Sequence, residues 1–168
     1  MTLAEGPSEQ VILPRLFGVI GTETDLASIS VVPLGGRYVN HFWRLLNELG
    51  VPFATLLDLD LGREGAAWGR IKYVVLQLRA IGVPDSALLE FSAAGKTYSL
   101  TEAELSALHK KDFASSLPEL RAWRDHLEQF GVFFPQPFDI DFQILRHSSE
   151  ASQTAREVGT VPNKQKNA

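Results

Sequence analysis

Acidic residues follow two apolar runs in the first part of this sequence. Glu5 and Glu9 follow the first run, and Asp58 and Asp60 follow the second, which spans 51–57. Two carboxylates placed two residues apart lie on the same side of an extended chain, where they repel each other unless a cation or a proton intervenes. Carboxylate oxygens are ligands of hard divalent cations such as Mg²⁺. One or two such ions can activate a water molecule and stabilise a leaving oxygen, so these acids indicate phosphate chemistry.

Strand and helix patterns alternate through the first half of the sequence. Strand patterns lie at 2–4, 29–34 and 51–57, and helical apolar spacing lies at 7–20, 37–49 and 66–80. This order favours right-handed crossovers and a parallel sheet with helices on both faces, which is an α/β fold. Parallel strands end at the same edge of a sheet, so we expect Glu5, the Gly35-Gly36 turn and the Asp58/Asp60 pair to meet there.

The second half of the sequence is less regular. Residues 88–98 hold one or two short strand patterns, and capping-box patterns at Thr101–Glu104 and Ser116–Glu119 each indicate a helix start. The predicted divisions are an α/β core at 1–84, a helical extension that completes the domain at 85–146, and a disordered tail at 147–168.

Length and composition fit one soluble domain. The chain has 168 residues, 45% of them hydrophobic and 21% charged, and it has no cysteine. No apolar stretch reaches the length of a membrane span, and the first residues lack the pattern of a signal peptide, so we expect a cytoplasmic protein without membrane contact. The net charge of −4 argues against simple binding to a nucleic-acid backbone. Contact with DNA would depend on local basic residues such as Arg15, Arg37, Arg63, Arg70, Lys72 and Lys96.

The acidic motifs resemble those of the TOPRIM domain, the Rossmann-like metal-binding fold of topoisomerases and primases. The resemblance is carried by Ala4-Glu5-Gly6, Gly35-Gly36 and Asp58-Leu59-Asp60. Two segments are similar to the TOPRIM domain of OLD-family (overcoming lysogenization defect) ATP-dependent nucleases in particular. They are Ala4-Glu5-Gly6-Pro7-Ser8-Glu9 with Leu13-Pro14, and the aromatic segment Phe133–Phe142. The resemblance covers roughly residues 3–145.

This resemblance implies a divalent-metal-dependent DNA endonuclease. By analogy, Glu5, Asp58 and Asp60 would be catalytic, and with Glu9 they would bind Mg²⁺ or Mn²⁺, as one ion or two. The family also has an ATPase domain, which provides dimerisation and control. The sequence does not decide the biological role, which could be phage defence or repair. No residue is predicted to bind an organic cofactor.

The sequence departs from the family pattern in three places. It has no P-loop, its first strand is short, and the Lys-bearing stretch that follows the aromatic segment in the family has no counterpart here. Lys164 and Lys166 lie in the polar tail, and we do not expect either to supply the catalytic lysine. We therefore expect a fragment or a truncated homologue, with the ATPase domain or subunit supplied elsewhere.

Several alternatives remain open at this point. Asp139 and Asp141 could bind a second metal, but an acidic pair in a proline-rich stretch more often has a structural role. The chain could be a catalytically degenerate TOPRIM module that binds DNA or a partner. A haloacid-dehalogenase-like phosphatase also has Asp-x-Asp after an apolar strand, although there the pair lies near the start of the domain.

The remaining aromatic and imidazole side chains are predicted to be structural. Trp43, Trp68 and Trp123 fall at core-facing helical positions. The histidines lack the spacing of metal ligands and are predicted to lie on the surface; they are His41, His109, His126 and His147.

Overall fold

A four-stranded parallel sheet organises the chain in the computed structural model, which describes residues 1–22, 29–36, 38–60, 66–112 and 114–135. The described strands are β1 (Thr2–Ala4), β2 (Val31–Pro33), β3 (Ala54–Leu56), β4 (Glu90–Ala93), β5 (Lys96–Ser99) and β6 (Val132–Phe133). The described helices are α1 (Pro7–Val19), α2 (Asn40–Glu48), α3 (Trp68–Ala80), α4 (Asp85–Leu88), α5 (Glu102–Ala107) and α6 (Leu117–Leu127). Short 3₁₀ turns lie at Leu108–Lys110, Ala114–Ser116 and Glu128–Phe130.

Strand β1 lies inside the sheet, whose order is β2-β1-β3-β6. It pairs in parallel with β2 and β3, so that Ala4 lies opposite Pro33 on one side and opposite Leu56 on the other. Proline has no backbone N–H to donate to a neighbouring strand and is therefore found mainly in edge strands, and Pro33 lies in the edge strand β2. The three strands therefore end side by side, as the sequence predicts.

Helices cover both faces of the sheet. On one face, Leu13 of α1 packs against Ala4, with Phe17 and Leu56 at the margin. On the other face, one large core joins the sheet to α2, α3 and α6, and the predicted core residues Trp43, Trp68 and Trp123 are fully buried in it. This confirms the α/β fold class, since a parallel sheet needs apolar cover on both faces.

The second half of the chain contributes to the same sheet. Strand β6 pairs in parallel with β3. Two residues are too few to show a periodic pattern, so the sequence does not predict this strand. The strands predicted within 88–98 form the antiparallel hairpin β4–β5. The boundary predicted at residue 84 stays a prediction, and the tail predicted at 147–168 lies outside the described residues. No helix within the described ranges is long and apolar enough to cross a membrane.

One of the two predicted capping boxes is wrong. At α5 the Thr101 hydroxyl accepts from the Glu104 amide, and the Glu104 carboxylate accepts from the Thr101 amide, as predicted. At α6 the Ser116 hydroxyl makes no cap and accepts instead from Trp68 Nε1 at 2.8 Å. Glu119 forms an ion pair with Lys111, so tertiary contacts take the place of the local motif.

The prediction that His126 lies on the surface is also wrong. His126 is only 5% exposed. Its ring stacks on that of Phe91 with 4.0 Å between the ring centres, and the rings of Trp123 and Phe130 lie edge-on to it. Nε2 lies 3.0 Å from the Ala87 carbonyl, whereas Nδ1 is buried without a hydrogen-bond partner. The apolar environment lowers the pKa of His126 below its ordinary value, mainly because burial penalises the charged ring.

This burial predicts a loss of stability in mild acid. Below the unfolded-state pKa of about 6.5, the unfolded chain binds a proton at residue 126 that the folded chain resists binding. The free energy of unfolding should therefore fall as the pH drops below that value, and His126→Phe should flatten this dependence. Urea unfolding between pH 7 and pH 5 measures the difference, and His41→Gln at an exposed position serves as the control. Equal pH slopes for wild type and His126→Phe would contradict the assignment.

Candidate metal centre at the carboxyl edge of the sheet

The junction between β1 and α1 positions the first two acids. Gly6 continues the extended chain, and α1 begins at Pro7, where the fixed φ of proline suits the first helical position. The Glu9 carboxylate turns back to accept from the Gly6 amide at 3.0 Å, and Glu9 is only 5% exposed. The Glu5 carbonyl accepts from the Gly36 amide at 3.0 Å, which ties this junction to the glycine turn after β2.

That turn requires glycine. Gly35 has φ +72° and Gly36 has φ +153°, in the region of backbone space that side chains rarely adopt. The turn brings the Gly36 amide alongside β1, so the predicted meeting of the glycine turn with Glu5 is found in the structure.

The chain that leaves β3 supplies the other two acids. Burial alternates along it, with Thr55, Leu57 and Leu59 pointing into the core, so that Asp58 and Asp60 share the opposite side. The Asp58 amide donates to Glu5 Oε1 at 3.2 Å. Asp60 has φ +54°, in the left-handed region, which aspartate adopts more readily than most residues. The two strand ends therefore meet, although they are far apart in sequence.

Arg70 of α3 completes the cluster. Its guanidinium contacts the Glu5 carboxylate through Nη2, and Nε donates to the Asp58 carbonyl at 2.9 Å. Nε also lies 3.6 Å from Asp60 Oδ2, and the guanidinium carbon lies 5.9 Å from the ring centre of Tyr73. Arg70 is only 3% exposed. The prediction that Arg70 is available for contact with DNA is wrong, because its guanidinium is buried and contacts these acids.

Burial and charge act against each other at Glu5. The pKa of Glu5 is raised above its ordinary value, mainly because burial penalises the carboxylate, and the charges of Asp60 and Glu9 raise it further. Arg70 and the Asp58 amide oppose that rise. Among the described residues, the four acids therefore bring more negative charge to this edge than the guanidinium of Arg70 balances.

The oxygen atoms that these acids offer are of the kind that binds divalent cations. Glu5, Glu9, Asp58 and Asp60 offer carboxylate oxygens, which suit Mg²⁺ and Mn²⁺, and they gather at the edge where parallel sheets bind ligands. In the described part of the chain, no three or more acidic or histidine side chains already converge on one point as a metal cage. The guanidinium of Arg70 lies among the carboxylates instead and bridges Glu5 and Asp60.

Other predicted site residues lie apart from this cluster or outside the described residues. Asp139 and Asp141 are outside the described residues, as are Arg37 and Arg63. Lys72 donates to the Ser106 carbonyl at 2.7 Å, so its ammonium group contacts α5 and not the acids. The sequence did not predict that Arg70 is a partner of the acids. One signal was available: Arg70 lies one helical turn before the buried Val74 and therefore on the same, inward face of α3.

The hydrogen bond from the Gly6 amide to the Glu9 carboxylate predicts that Glu9 stabilises the start of α1. This role needs an acceptor oxygen but not a negative charge. Glu9→Gln keeps a side-chain oxygen that can accept from the Gly6 amide, whereas Glu9→Ala leaves this amide without a partner. We expect Glu9→Ala to lower the free energy of unfolding by about 1 kcal/mol, as for other lost caps, and Glu9→Gln to lower it less. Urea unfolding in EDTA measures both. Equal losses in the two variants would contradict the capping role.

Comparison with known proteins matches this region to a described family. Residues 1–60 match the family model of the overcoming lysogenization defect protein-like TOPRIM domain. The endonuclease GajA of Bacillus cereus (strain VD045) is 33% identical over 67 residues, which are 38% of this chain. Those residues are only 12% of GajA, so this chain spans a small part of that relative's length.

Two solved structures also align with the chain. Both are of the C-terminal region of the OLD protein of Xanthomonas campestris pv. campestris, with 21% and 22% sequence identity and a TM-score of 0.49 each. The alignments cover 80% of this chain and 50% and 49% of those chains.

Proposed function

We propose that this chain, whose residues 1–60 match the OLD-like TOPRIM family model, is a divalent-metal-dependent nuclease domain that hydrolyses phosphodiester bonds of DNA. The observation that carries the proposal is the meeting of Glu5, Asp58 and Asp60 at the carboxyl edge of the parallel sheet. The Asp58 amide binds Glu5 directly, and Arg70 contacts both Glu5 and Asp60.

The family match supports the assignment because of where it falls. The matched region, residues 1–60, contains all four acids, and the one curated relative described above is named an endonuclease. This match favours the nuclease over the phosphatase alternative, since the acids of both strand ends fall inside one TOPRIM region.

Within the proposed site, Glu5, Glu9, Asp58 and Asp60 would bind one or two Mg²⁺ or Mn²⁺ ions. A divalent ion held by these residues would supply charge that stabilises phosphate oxygens and would lower the pKa of a bound water. The chain itself orients the ligands: the Asp58 amide fixes one Glu5 oxygen, and the Gly6 amide fixes one Glu9 oxygen. In this assignment, Glu5, Asp58 and Asp60 are the catalytic residues.

The proposal extends to parts that lie beyond the described residues. The family architecture supports an ATPase domain or subunit supplied outside this sequence, and a homodimer is compatible with it. The proposed action on DNA favours a cytoplasmic location. Asp139 and Asp141 remain candidates for a second metal or for a structural role.

Metal binding is the first test. The folded chain should bind Mn²⁺ in isothermal titration calorimetry, and Asp58→Asn should abolish the binding heat, because it removes a ligand charge but keeps the backbone contacts to Glu5 and Arg70. Glu90→Gln, an exposed carboxylate of β4, should bind like the wild type. Absence of Mn²⁺ and Mg²⁺ binding to the folded wild type would refute the proposal.

A second candidate function is a degenerate module that binds DNA without cutting it. It is favoured by the bridging guanidinium of Arg70 and by the lack, in the ranges described, of an acidic group already shaped as a metal cage.

Plasmid nicking separates the two candidates. With Mn²⁺, the wild-type chain should convert supercoiled DNA to the nicked form, and Asp60→Asn should reduce the rate by at least about a hundredfold, as expected for loss of a ligand charge that stabilises the transition state. Glu90→Gln should retain the wild-type rate. Equal background cleavage by wild type and Asp60→Asn would favour the non-catalytic module.

A further inference from the structure

Arg70 is a buried cation whose partners are the acids of the proposed metal site. It is 3% exposed, and a guanidinium so deeply buried needs charged or polar partners to offset its loss of hydration. Two of those partners, the carboxylates of Glu5 and Asp60, are proposed metal ligands. Another partner is the Asp58 carbonyl, a backbone group.

Metal binding would affect the contacts of Arg70 with the carboxylates differently from its contact with the backbone carbonyl. A carboxylate oxygen that faces a guanidinium cannot direct the same lone pair to a metal ion, and two cations at one cluster repel each other. The contact from Nε to the Asp58 carbonyl is free of the first restriction, because its acceptor is a backbone oxygen and not a carboxylate. The repulsion remains, because Nε also lies 3.6 Å from Asp60 Oδ2, so the guanidinium charge stays beside the cluster. Arg70 could therefore leave Glu5 while Nε remains anchored, with no shift of α3.

We propose that Arg70 is an internal cation that occupies the carboxylate cluster in the metal-free chain and competes with the divalent ion for Glu5 and Asp60. It is a positioning residue: it keeps the acids in place before metal arrives and sets the concentration at which metal binds. This inference rests on the proposed function, since it takes the divalent ion as the ligand of the cluster.

The first experiment compares Arg70→Gln with Arg70→Lys. Removing the charge should lower the melting temperature in EDTA, because the carboxylates lose their counter-ion. The same change should tighten Mn²⁺ binding by about tenfold in calorimetry, because the competing charge is gone. Arg70→Lys retains the charge but cannot make the two-nitrogen contact to Glu5 and the Asp58 carbonyl, so its Mn²⁺ affinity should lie between those of the wild type and Arg70→Gln. A purely structural role of Arg70 predicts lower melting temperature with unchanged or weaker Mn²⁺ binding, and that result would overturn the inference.

The second experiment uses the wild-type chain, so it does not depend on the folding of a variant. Side-chain ¹⁵N NMR signals of Arg70 should shift on addition of saturating Mg²⁺ as Nη2 leaves Glu5. Arg79, which pairs with Asp85 and Glu102 at the surface, is the internal control and should not shift. Arg70 signals that stay unchanged at saturating Mg²⁺ would overturn the inference.

The outcomes separate this inference from the proposed function. If neither the wild type nor Arg70→Gln binds Mn²⁺, the metal site itself is wrong and both fall. If both bind equally, the metal site stands and only the role of Arg70 falls. Binding by Arg70→Gln at concentrations where the wild type binds weakly supports both.

Discussion

The position of the acidic cluster depends on the parallel pairing of β1 with β3. The register places Ala4 opposite Leu56, so each strand delivers an acid within the next two residues. The bond from the Asp58 amide to Glu5 then joins the two strand ends across that register. A shift of one residue would turn Leu57 and Leu59 out of the core, so core packing and the geometry of the site enforce the same alignment.

The cluster is held at an electrostatic cost. Burial of the Glu5 carboxylate is the main reason that the pKa of Glu5 is raised. The charges of Asp60 and Glu9 add to the rise, and the guanidinium of Arg70 opposes it only in part. An apolar edge of the sheet would be more stable without ligand. Carboxylates concentrated in this way are typical of a site that gains stability when a cation binds, since ligand that prefers the folded state stabilises it.

Parts of this arrangement could be predicted from the sequence. The order of strands and helices through residue 80 follows from apolar spacing, and parallel order alone brings the acids to one edge. Strand β6 could not be predicted, because a two-residue strand carries no period and depends on its neighbour β3. The burial of His126 depends on Phe91 from the hairpin, and the role of Arg70 depends on acids from two other elements. Such contacts between distant segments leave no local pattern.

The contacts that build the site also govern when it can form during folding. The bond between Asp58 and Glu5 spans 53 residues, and the contact between Arg70 and Glu5 spans 65. Closing loops of that length precedes any gain from the contacts, so proteins rich in such pairings fold slowly. On a ribosome, the chain must emerge past α3 before Glu5 meets its counter-ion. Until then the acid stays solvated, and the cluster assembles only together with the sheet.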